Sequence, residues 1–137
     1  MLHEITKGMD NAAQAINANF KNATIVESNL DETNPSKGHY VIFGNGLMMC
    51  WHTNLEATYD TNARLTVVWQ YPKEFTVQPV AFAVRDYAHE KSEINSSSVG
   101  IRPNEDAAHI RLFSPYGQYF VSGDKTPVRA VAIGIKA

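Results

Sequence analysis

One cysteine, Cys50, stands in 137 residues; without a partner in the chain it excludes a disulfide-stapled scaffold. Long hydrophobic runs are missing too, and nothing approaches the roughly 20 apolar residues of a membrane-spanning helix. Neither sign of charge dominates. Against 12 Lys+Arg stand 14 Asp+Glu, a formal net charge of -2, so the basic excess that accompanies electrostatic nucleic-acid binding is absent. The opening Met1-Leu2-His3-Glu4-Ile5 has neither the basic start nor the apolar run of a signal peptide, and synthesis in the cytoplasm without export is expected. In that setting the triplets Asn22-Ala-Thr24 and Asn95-Ser-Ser97 are chance sequons.

Catalytic templates are equally scarce. There is no Gly-rich phosphate loop, no GxSxG elbow and no CxxC pair. His3, His39, His52, His89 and His109 occur singly, without HxH or HExxH spacing, so no metal site is expected. Cys50 lies between Met49 and Trp51 with no nearby base, which suits a buried inert thiol better than a nucleophile. The acids Glu56, Asp60, Glu74, Asp86, Glu90, Glu93, Glu105, Asp106 and Asp124 sit mostly in loops beside Lys or Asn, as solvated charges do. Glycoside hydrolysis would need two of them converging across a groove. No cofactor is expected.

What the chain does contain changes character along its length. In Met9-Asp-Asn-Ala-Ala-Gln-Ala-Ile-Asn-Ala-Asn-Phe20, with Ile5 upstream, Ile5, Met9, Ala12, Ala13, Ile16 and Phe20 recur every three or four residues, the period of one helix face. Asp10 is placed to oppose the helix dipole. About three turns are marginal alone, so the stripe must pack either on its own subunit or on copies of itself. Asn29 to Gly38, polar and carrying Pro35, has the composition of a linker. Residues 1–37 are therefore expected to form a helix and linker for oligomerisation or attachment, and 38–137 the main domain.

From Gly38 onward the period becomes two. Tyr40–Phe43 and Leu47–His52 flank Gly44-Asn45-Gly46, a strong hairpin signal. Apolar residues on both faces of the second run suggest cover on both sides. Arg64 to Tyr71 alternates, with Leu65, Val67, Trp69 and Tyr71 inward. Strands are also expected at Val80–Val84, Ser97–Ile101, His109–Phe113 and Val128–Ile135, separated by turn clusters. The sum is an all-β fold, an antiparallel β-sandwich or barrel-like head with a short N-terminal α-helix. Tyr116 and Tyr119, with Asp124 and Lys125 close by, either flank a hairpin as half-buried tyrosines commonly do or set ring faces beside polar groups, the mixture that binds sugars. Tyr116, Tyr119 and Asp124, joined by Arg102 and Asn104 from a neighbouring turn, are the candidate saccharide ligands.

The segment Gly38-His-Tyr-Val-Ile-Phe-Gly-Asn-Gly-Leu-Met-Met-Cys-Trp-His-Thr53 resembles the G-x-Y-x-x-[FY]-x-[DN]-G-x-x-x-C-W opening of tail-fibre and receptor-binding head domains of tailed bacteriophages. Trp69-Gln-Tyr71-Pro72-Lys-Glu-Phe75 is similar to their W-x-[FY]-P-x-x-F element, and Pro79–Val84 and Val128–Ile135 fit the same scheme. His52 departs from the pattern, standing where Gly is common. The leader Ile5–Phe20 is similar to segments that precede such heads in phages of Gram-positive hosts. The resemblance implies a non-enzymatic homotrimer at a tail tip or baseplate, carried on the virion beside other tail proteins and attached to a host cell-surface saccharide. On that view Met9, Ala13, Ile16 and Phe20 face the threefold axis. A tail-associated glycan hydrolase or depolymerase head, or a ligand-free structural trimerisation module, is the alternative.

Overall fold

A computed structural model describes residues 11–17, 22–86, 98–114 and 120–137. Residues 11–17 are helical and exposed throughout, and among the described residues eight strands follow. They are β1 (Ile25–Ser28), β2 (His39–Phe43), β3 (Leu47–Thr61), β4 (Arg64–Gln70), β5 (Val80–Arg85), β6 (Ser98–Pro103), β7 (Ala107–Phe113) and β8 (Lys125–Ile135). All pair antiparallel, in the order β1-β2-β3-β4-β7-β6, with β8 lying along β3 and β5 outside β8. The sheet folds over on itself without closing into a barrel, as an all-β sandwich-like fold.

The bend originates in β3. Its first half pairs with β2 on one edge, its last residues pair with β4 on that same edge, and β8 follows it along the other. Between His52 and Leu55 the register against β8 slips, since His52 faces Ala130 while Leu55 faces Val128. One extra residue on β3 is a β-bulge. It reverses which parity points inward: Met48 and Cys50 before it and Ala57 after it are all fully buried. Without the bulge, a period of two would have turned one half of this strand's apolar residues to water.

The hairpin at Gly44-Asn45-Gly46 forms as expected, though by a different turn. Gly46 alone of the three has positive φ, 89°, and its N–H donates to Phe43 O at 2.9 Å. A three-residue connection with glycine in the left-handed region replaces the two-residue Asn-Gly turn. The cover expected on both faces of β3 is uneven: Met48 and Cys50 are sealed, whereas Met49 and Trp51 are half-buried and Leu47 is exposed. Strand β1 also lies within the stretch expected to be helix and linker, so the sheet reaches back past Gly38.

Trp69, Tyr71 and Phe75 fill the core in a chain of edge-to-face contacts, with ring centroids 5.0 and 5.1 Å apart. Leu65, Ile110, Leu112, Val128 and Phe120 close around them. Burial pushes the Cys50 thiol up to about 12, which makes it the inert core residue expected.

Candidate saccharide groove

The segment between β1 and β2 is held by more bonds than a linker needs. Asn29 clamps its two ends, donating from Nδ2 to Gly38 O at 3.0 Å and accepting the Tyr40 N–H on Oδ1 at 2.8 Å. Asn34 takes φ 49° and Gly38 φ 89°, turning the chain back onto β3. No other residue fits at 38, because a Cβ there would lie 2.2 Å from Trp51 O. The Trp69 indole N–H rises from the core to donate to Lys37 O at 2.9 Å. His39 Nε2 reaches Glu32 O at 3.0 Å and His52 Nε2 reaches Ser36 O at 3.1 Å.

Opposite this loop stands the β3 bulge. Asn54 N–H donates to His52 Nδ1 at 3.0 Å, which leaves Nε2 as the nitrogen that donates to Ser36. The two histidines thus tie the loop to the sheet, and a groove of about 160 Å³ opens between them. Asn34, Ser36, His39, His52, Thr53 and Asn54 line it. The His39 ring stacks on Trp51, centroids 5.7 Å apart and planes 24° from parallel, while His52 meets Trp69 edge-on at 6.5 Å. Amide and hydroxyl groups beside a stacked ring pair suit a polyhydroxylated ligand, whose C–H faces lie on rings while its hydroxyls exchange hydrogen bonds.

Several carboxylates have other work. Asp60 bonds Arg64 at 2.5 Å, Glu27 bonds Lys73 at 2.7 Å, and Asp86 bonds Arg129 at 3.0 Å. Among the described residues no cluster of three metal-ligating side chains occurs.

The residues expected to bind saccharide are dispersed. Tyr116 and Tyr119 lie outside the described residues. Asp124 is half-buried and spends its carboxylate on the Val121 N–H at 2.9 Å, closing its own turn. Arg102 is exposed on β6, and Asn104 donates its N–H to Ala107 O at 2.8 Å in the β6–β7 turn. That turn packs at the Gln70 end of β4, where Tyr71 N–H donates to Asp106 O. Ser114 N–H donates to Ala63 O and Phe120 N–H to Asn62 O at the other end. Roughly 20 Å of β7 separates the two ends, so Asn104 lies far from Asp124, with Arg102 opposite His109 part-way along β7. Of the residues expected at an oligomer axis, Ala13 and Ile16 are exposed in the helical stretch, while Met9 and Phe20 lie outside the described residues.

The groove residues escaped the sequence. The usable signal was Thr53-Asn54, a polar pair interrupting an apolar alternation, which is where a bulge belongs.

No family model matches this chain, and no curated protein matches it. A solved structure does: the C-terminal fragment, residues 323–691, of the R2 pyocin fibre of P. aeruginosa. The TM-score is 0.52 at 17% identity, over 82% of this chain and 26% of that one. The fold of this chain is therefore one found in a pyocin fibre fragment, and the chain spans about a quarter of that fragment's length.

Proposed function

We propose that this chain is the head of a tail-fibre-like adhesin, attaching a virion or tail-like particle to a saccharide on the host surface as a homotrimer and making or breaking no bond. The fibre fold carries the proposal. The resemblance of Gly38–Thr53 and Trp69–Phe75 to phage-head motifs supports it separately, and these segments build the β2–β3 hairpin and the aromatic block of this chain's core. The saccharide site is the groove beside His39 and Trp51, with Tyr116 and Tyr119 as a second candidate surface. A shallow groove binds weakly alone, and several linked copies raise engagement through effective concentration without new contacts. The exposed helical stretch at 11–17 supports bundling of the leader, since a stripe so short gains stability only by packing.

Retention of the full chain on intact cells of candidate Gram-positive and Gram-negative hosts, with competition by wall polysaccharides, tests the proposal. Asn54→Ala should weaken retention at least several-fold with the fold intact, while release of new reducing ends from the polysaccharide would show an enzyme instead. Tyr116→Ala reports on the second surface in the same assay. Retention unchanged by Asn54→Ala removes the groove, and retention on no host removes adhesion.

A further inference from the structure

The outer face of β5, β8 and the first half of β3 is apolar where a solvated strand would be polar. Val80, Phe82 and Val84 on β5 are 61%, 58% and 59% exposed, beside Ile135 at 51% and Leu47 at 37%. Register places them in one sheet surface: Val80 pairs Ile133, Phe82 pairs Val131, and Leu47 pairs Ile135. Half-buried Met49 and Trp51 join these rows. The outer face of β6 and β7 is more polar, with Arg102, His109 and Arg111 outward beside the exposed Val68 of β4.

We infer that this face is covered by a second copy of this chain. Five side chains this exposed in one sheet surface make a contiguous apolar patch of several hundred Å², the size that marks an interaction site on a monomer and a large share of the ~800 Å² that each partner gives a standard interface. Among the described residues that line the trough along Phe82, Val84 and Val131, the charged one is Arg129, already paired with Asp86, so the trough offers little to select an acidic or basic partner. An interface this apolar matches contacts between identical subunits, the most hydrophobic class. This shallow apolar trough shares His52 and Thr53 with the polar groove, so a copy seated there stands against the groove's rim. The inference rests on the homo-oligomeric reading above and assigns it a surface on the head, separate from the leader.

Sedimentation velocity of the full chain from 5 to 200 µM tests it, with no cell or saccharide present. The wild type should sediment as an oligomer. Phe82→Glu, at an exposed position, should keep its far-UV spectrum and weaken association at least tenfold. Val80→Lys should do the same, and it decides the matter if Phe82→Glu fails to fold. Val68→Glu, on exposed β4 surface, should leave the mass unchanged. A monomeric wild type, face variants that remain fully associated, or a Val68→Glu that dissociates equally would overturn the inference. Because mass is read without ligand, its failure leaves adhesion standing; lost cell binding at unchanged mass leaves the interface standing.

Discussion

Gly38→Ala should be among the most damaging single-methyl additions to this chain. The residue sits at φ 89°, where an L side chain costs about 1–2 kcal/mol. The added Cβ would also lie 2.2 Å from Trp51 O, a backbone atom of the central strand that cannot swing aside. Relief requires lifting the loop off β3, which loosens the bonds from Asn29 Nδ2 to Gly38 O and from Trp69 Nε1 to Lys37 O. Each contributes about 1 kcal/mol, and more where the indole N–H is left buried and unpaired. A total near 4 kcal/mol is a large part of the ~5–15 kcal/mol that holds a domain together. Gly123→Ala is the control: φ is 94° there, yet nothing lies within 4 Å of the new Cβ, so only the ~1–2 kcal/mol backbone term applies. Urea unfolding followed by tryptophan fluorescence reads both variants. With a slope of about 2 kcal/mol/M, the midpoint should fall by ~2 M for Gly38→Ala and ~0.5–1 M for Gly123→Ala. Equal shifts would mean that the close approach to Trp51 stores no strain, and would refute the account of the loop.

Cys50, fully buried with its thiol pushed up to about 12, should resist Ellman's reagent at pH 8 in the native protein and react at once in guanidinium; fast native labelling would place it outside the core. Glu27 accepts hydrogen bonds from Lys73 first and Tyr40 second, and both hold its carboxyl below the usual range. A depressed carboxylate contributes stability above its unfolded value of ~4.3, and loses it as pH falls through the lower folded value. Carbon-detected titration should therefore give Glu27 a midpoint below the ordinary one, restored upward in Lys73→Met, and an ordinary midpoint in the wild type would dissolve the trio that fastens β1.

Local signals and long-range ones divide what the sequence could tell. Alternation over Arg64–Tyr71 put Leu65, Trp69 and Tyr71 on the buried face, where they are, because a short strand's pattern depends only on its own side chains. Strand β3 runs on to Thr61 past Asn54, Glu56 and Asp60, and the bulge that swaps its parity erases the alternation that would have revealed it. Order in residues 29–38 rests partly on Trp69 and His52, far along the chain, beside the local clamp of Asn29, so composition could only suggest a linker. The most instructive case is Val80-Ala-Phe-Ala-Val84, whose alternation declares a strand but not its orientation. Hydrophobicity alone would bury Phe82. The structure buries Ala81 instead, and beside it on β8 the inward residues are Ala130, Ala132 and Gly134. At Gly134 a Cβ would stand 2.9 Å from the Phe75 ring and 3.0 Å from Pro79. Trp69, Tyr71 and Phe75 already occupy that volume, and only small side chains fit beneath them at native packing density. Large apolar residues on β5 thus have nowhere to go but outward, and the bulk of the aromatic block on one face of the sheet is what leaves Val80, Phe82 and Val84 on the other to be covered by something else.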